Sequence, residues 1–109
     1  MKNFSDTLPS PACRLIELLG SRWALLVLLA LEERGTLRYN ELRRAVAGGV
    51  SERMLAATLD GLEHAQLVVR TVYPEVPPRV EYRLAPRTAT LLPILHQLRA
   101  WAEEAEQLV

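Results

Sequence analysis

The stretch VVRTVYPEVPPRVEYRL, Val68 to Leu84, decides how the rest of the chain is read. Both of its halves are rich in β-branched and aromatic residues, which fit a pleated surface. In the second half Val80, Tyr82 and Leu84 alternate with Glu81 and Arg83, the period of a half-buried strand. Pro74, Pro77 and Pro78 stand between the halves. Proline fixes φ and cannot donate to a strand ladder, so these three belong to the connection and stiffen it. The stretch predicts a hairpin with a rigid tip, surrounded by Arg70, Arg79 and Arg83.

Upstream, SERMLAATLDGLEHAQL begins at Ser51, a natural helix N-cap. Leu55, Leu59 and Leu62 recur at helical spacing and mark its inner face. Gly61 weakens this helix, and the sequence offers no reason for it. Gly48 and Gly49 allow a tight turn before Ser51. The segment TLRYNELRRAVAGGV predicts another helix, with Tyr39, Leu42, Ala45 and Val46 inward and Asn40, Glu41, Arg43 and Arg44 outward. Before it, RWALLVLLALEER is apolar nearly all round, the mark of a central buried helix, and Gly35 closes it. CRLIELLGS predicts a short first helix.

Downstream, a long helix is expected from about Arg87 to Leu108. Leu91, Leu95, Leu98, Trp101, Ala102, Ala105 and Leu108 form one stripe along it. Pro93 means that the helix either kinks there or starts later. On so small a domain the stripe suits a partner helix, and a dimer is expected.

At 109 residues the chain reads as one domain, residues 12–109, behind a flexible segment at 1–11. Thirteen basic and thirteen acidic residues cancel, so bulk charge names no partner. All the basic residues except Lys2 are arginine, the forked donor suited to phosphate. A single cysteine makes no internal disulfide. No stretch reads as a signal peptide, and the longest apolar run, Trp23 to Leu31, is too short to cross a bilayer. A cytoplasmic protein without membrane contact is expected. There is no glycine-rich phosphate loop, no Ser/His/Asp set and no paired carboxylates, so no enzyme is read here. Cys13, His64 and His96 lack metal-ligand spacing, and neither a metal nor another cofactor is expected.

Helices, a glycine turn, a capped helix and a hairpin make the layout of a winged helix-turn-helix: mainly α with a small β-hairpin, and extra N- and C-terminal helices. The segments LLGSRWALLVLLAL, RYNELRRAVAGGVSERMLAATLDGLE, LVVRTVYPEVPPRVEYRL and LLPILHQLRAWAEE together resemble the HxlR family of bacterial transcription regulators. The resemblance covers nearly everything from Pro11 onward, and YPEVPPRVEY is its most distinctive part. It implies a homodimer joined through the N- and C-terminal helices. It also implies a recognition helix from Ser51 to about Gln66 in the major groove, and a wing from Thr71 to Val80 along the backbone.

Two departures from the family stand out. Glutamine followed by a basic residue is common in the middle of the recognition helix, where this chain has Ala57 and Thr58. Alanine can touch a thymine methyl but cannot hydrogen-bond a base edge. Several members also sense oxidants through a cysteine followed by proline, where this chain has Ser10-Pro11. Cys13 lies about one helical turn further on, so the role does not transfer by position.

The expected contacts to double-stranded DNA are Arg53 and Ala57 at base edges, and Ser51 with its helix N-terminus at a phosphate. Arg38, Asn40, Arg43, Arg44, Arg70 and Arg79 are the candidate backbone contacts, with Arg79 held out by the stiff tip. The bland alternative for each arginine is a solvated surface. Cys13 beside Arg14 could be a reactive sensor or a small buried hydrophobe. An effector, either a small molecule or an oxidant, is compatible with the chain. The leading expectation is a sequence-specific regulator, a repressor reading inverted half-sites. The alternative is a winged-helix interaction or dimerisation module with little DNA binding, favoured by Ala57, Thr58 and the neutral net charge.

Overall fold

A computed structural model of the protein describes residues 10–46 and 48–107. Most of the expected flexible segment, residues 1–9, lies outside them, as do Leu108 and the side chain of Ala105 from the C-terminal stripe. Helix α1 spans Ser10–Leu19, starting ahead of the expected Cys13, and α2 spans Arg22–Arg34. Ala24, Val27, Leu28, Ala30 and Leu31 of α2 are buried, so this helix is the axis of the core. Gly35 ends it at φ 79°, and its N–H donates to the carbonyl of Leu31.

Thr36 to Val46 departs from the single helix expected there. Leu37–Arg38 form a short strand, β1, and α3 begins at Tyr39 and ends at Ala45. Two residues carry no periodicity, and what makes them a strand is pairing with a distant segment. After the turn, α4 spans Glu52–His64 and β2 spans Val68–Tyr73; β3 follows at Arg79–Leu84. The sheet is antiparallel in the order β1-β3-β2, so the predicted hairpin carries a third strand on its β3 edge. Leu37 faces Tyr82 across β1 and β3, while Val68 pairs with Leu84 and Tyr73 with Arg79 across the hairpin.

Leu55, Leu59 and Leu62 of α4 are buried against the α2 core, as their spacing predicts. Thr58 is buried with them, and its hydroxyl donates to the carbonyl of Met54 at 2.8 Å. Gly61 now has a reason. A Cβ there would stand 3.1 Å from Cδ1 of Leu18, so the missing side chain lets α1 approach α4. Gly48, at φ 96°, is a second close approach, because a Cβ would collide with the Arg22 guanidinium on α2.

The corner that launches the hairpin is tied down. Leu67 N–H donates to Leu62 O, Ala85 N–H donates to Leu67 O, and the buried Thr88 hydroxyl donates to Leu67 O at 2.7 Å. Thr88 lies in a 3-10 turn at Pro86–Thr90, after which α5 runs Leu92–Gln107. The late start is the alternative that Pro93 chose, because its missing N–H falls in the first turn, where no partner is needed. Leu95 packs on the core, and His96 Nε2 lies 2.6 Å from Glu32 Oε1, which ties α5 to α2. Further along the same stripe Leu98 is 55% exposed and Trp101 67% exposed, with Ile94 59% exposed beside them. Leu25, Leu26 and Leu29 of α2 line an open apolar trench of about 720 Å³ together with Leu95 and Leu98.

Candidate nucleic-acid interface

Ser51 caps α4 as its residue type predicts, its Oγ accepting from Met54 N–H at 3.1 Å. That satisfies one of the donors a helix start leaves open. The outer face of the first two turns then presents Arg53, Met54, Ala56 and Ala57, all exposed. Arg53 and Ala57 are four residues apart and share one side of the helix. Thr58 is turned into the core, so this face offers one forked cation set among small and apolar groups. Asp60 is exposed a turn later, 3.6 Å from His64 Nδ1.

Helix α3 is latched to the start of α4. Arg43 donates through Nε to Val50 O at 3.3 Å and through Nη1 to Glu52 Oε1 at 3.1 Å. The Tyr39 hydroxyl donates to Glu52 O at 2.8 Å. Arg43 is therefore a brace within the helix-turn-helix, and it offsets the Glu52 carboxylate at the start of α4. Arg38 N–H donates to Glu41 Oε1 at 2.8 Å at the beginning of α3.

Partial burial, then the charge of Glu52, hold the Tyr39 phenol above its ordinary value of 10.0. A raised value means that the folded chain holds this proton more tightly than the unfolded one. Its contribution is fully present below pH 10 and is lost as pH rises through the folded value. Tyr39→Phe is expected to lower stability by about 1 kcal/mol near neutral pH, the worth of one hydrogen bond. The gap between the variant and its parent should narrow above pH 10, as urea denaturation at the two pH values would measure.

The wing stands next to α3. Arg38, Asn40 and Arg44 line one cavity of about 660 Å³ with Pro78, Arg79 and Val80. The tip from Pro74 to Pro78 is exposed throughout. Helix α3 thus adjoins both the wing, with which it shares this cavity, and the start of α4, to which Tyr39 and Arg43 bond. Arg70 is exposed on β2. Among the described residues the side chains of Arg38, Arg44, Arg53 and Arg70 form no ion pair.

Arg79 is not held out as expected. Its guanidinium lies over the Tyr73 ring at 4.0 Å, with Nη2 3.5 Å from Glu75 Oε1 and Nη1 3.7 Å from Glu81 Oε2. The register pairs Tyr73 with Arg79, and Glu81 is two residues on, on the same strand face. That alternation was a readable signal for Glu81. The three prolines stiffen the tip, but the arginine beside them is folded back along the hairpin.

Cys13 is buried, at 1% exposure, and its Sγ lies 3.4 Å from Glu17 Oε1, the position of a thiol donor to a carboxylate. A reactive sensor thiol needs an accessible, electropositive setting. Among the described residues no three His, Cys, Asp or Glu side chains gather to hold a metal ion, and no helix is long and apolar enough to cross a membrane.

A capped helix bound to its neighbour through a glycine turn, with a projecting hairpin alongside, defines a winged helix-turn-helix transcription regulator. The HxlR-like helix-turn-helix family matches residues 18–108, and the chain belongs to it. An uncharacterised HTH-type transcriptional regulator of Halalkalibacterium halodurans is 39% identical over 101 residues, covering 93% of this chain and 86% of the relative. The uncharacterised HTH-type regulator YtfH of Escherichia coli is 43% identical over 93 residues, covering 85% and 72%. Among solved structures, the reduced form of the transcriptional regulator YodB from B. subtilis superposes with a TM-score of 0.74 at 32% identity, covering 89% of this chain and 94% of that one. The redox regulator HypR in its reduced form gives 0.76 at 35% identity, covering 89% and 94%. These relatives are transcription regulators, not enzymes.

Proposed function

We propose that the protein is a homodimeric, sequence-specific DNA-binding repressor that occludes a promoter in the cytoplasm. Two copies of α4 enter successive major grooves about one turn, roughly 34 Å, apart and read inverted half-sites. The wings lie along the flanking backbone. The observation that carries this reading is that α3 joins the wing on one hand and the start of α4 on the other. Arg53 lies on the outer face of α4, beside the Glu52 that Tyr39 and Arg43 hold, and Arg38 and Arg44 share a cavity with the wing; among the described residues these three arginines form no ion pair.

Dimerisation is supported by α5. Ile94, Leu98 and Trp101 lie at helical spacing and are left largely uncovered beside the α2–α5 trench, and Ile16 on α1 is 48% exposed. An apolar area of this kind on so small a domain marks an interaction surface. A second copy covers it in a symmetric contact.

Selection of bound duplexes from a random pool tests the proposal. Enrichment of an inverted repeat with half-sites about 10 base pairs apart is the expected result. Absence of any salt-sensitive duplex retention would overturn it. That outcome would favour the interaction-module reading, which draws its support from the neutralised Arg79 and from Ala57 at the centre of the reading face.

A further inference from the structure

We infer that the cavity between the wing and α3 is a seat for a single phosphate group, gripped by Arg38, Arg44 and Arg79, and that Glu75 and Glu81 hold Arg79 charge-balanced until the phosphate arrives. The inference rests on the DNA-binding reading for its natural ligand and goes beyond it in giving the two carboxylates a role.

Three arginines line this cavity, and only Glu41 brings a carboxylate to its lining. Glu41 is already engaged, accepting from Arg38 N–H at the start of α3. Among the described residues Arg38 and Arg44 form no ion pair, so their charge is available to an anion. Arg79 is different. Of its five N–H donors, those on Nη1 and Nη2 face carboxylates at 3.7 and 3.5 Å, beyond good hydrogen-bond length. Its Nε is buried and finds no acceptor among the described residues. The guanidinium is therefore held by charge and by the Tyr73 ring, with its directional donors unfilled. A tetrahedral phosphate with several acceptor oxygens supplies what the two loose carboxylates do not. Both carboxylates belong to the hairpin itself, Glu75 at its tip and Glu81 on β3, so the hairpin carries its own counter-charge and a phosphate must displace it.

Two sources share this chemistry: a backbone phosphate of duplex DNA, and a free phosphate ion. Glu75→Gln and Glu81→Gln keep side-chain size and remove the charge. On a selected duplex, each is expected to tighten binding by roughly two- to fivefold per seat, the worth of removing one competing surface ion pair, and the two seats of a dimer multiply the effect. The double variant should steepen the slope of log affinity against log salt by about 0.9 per seat, so by about 1.8 for a dimer with two seats. Arg44→Ala should flatten the slope by about the same amount. Glu75 lies on the exposed tip, so its variant reads out even if Glu81→Gln perturbs the sheet.

In a second arm inorganic phosphate, at constant ionic strength against chloride, is titrated into the DNA-free protein while the arginine Nε resonances are followed. Saturable shifts that are lost in Arg44→Ala would assign the seat to a free ion if the duplex slopes do not move. Slopes that respond as stated assign it to the DNA backbone. If duplex binding is retained while slopes and resonances are indifferent to all these changes, the seat is refuted and the DNA-binding reading stands. If no duplex is retained, the DNA-binding reading fails, and the phosphate arm alone upholds or refutes the seat.

Discussion

Replacing Trp101 by glutamate is expected to yield a folded monomer whose affinity for its DNA site is at least about a hundredfold lower. Trp101 is two-thirds exposed in the single chain, so its loss removes little of what holds that chain together. The core is built on α2 and α4, and among the described residues of α5 Leu95 alone is buried in it. In a two-fold dimer the same residue appears on both sides of the contact, so each change counts twice. Truncating a central interface tryptophan typically costs 2 kcal/mol or more, and placing a carboxylate in an apolar contact adds a desolvation penalty. Roughly 4–6 kcal/mol over the two sites weakens dimerisation by a thousandfold or more. A lone reading head then loses the effective-concentration advantage of a linked pair, worth about 10² to 10⁴. Sedimentation velocity would measure the mass, thermal melting the fold, and fluorescence anisotropy the DNA affinity. A dimer that persists at low micromolar concentration would rule out α5 as the contact.

The second large effect is expected from Arg53→Ala. Its guanidinium is the one cation on the outer face of the first two turns of α4, and it forms no ion pair among the described residues. Its forked donors suit O6 and N7 of guanine. Loss of that contact should reduce discrimination at one base position by about 1–3 kcal/mol, and at its mate in the opposite half-site by the same amount. Affinity for duplexes already substituted there should change far less. Competition between the selected site and single-base variants provides the measurement. An unchanged preference at every position would mean that this face does not read bases.

Much of the fold was legible because it depends on local chemistry. The leucine spacing of α4, the Ser51 cap, the glycine turn and the apolar α2 need no distant partner to be recognised. So too does the hairpin, whose prolines mark the tip. Strand β1 was hidden because Leu37 and Arg38 become a strand only by pairing with β3. Gly61 was opaque for the same reason, since the group it makes room for is Leu18 on another helix. The site was half legible. Residue type identified the arginines, but which of them stay unpaired depends on distances. Arg79 and Glu81 share a strand face that the alternation shows, but Arg43 is drawn to Glu52 by the turn, and only their nearness in space reveals that.

The bonds from Tyr39 and Arg43 to Glu52 carry a mechanical consequence. They fasten the start of α4 to α3 at two points, so the two helices are held in one mutual orientation. Helix α5 is held to α2 at a different place, by His96 and Glu32, so the α3–α4 pair and the α5 face are braced separately.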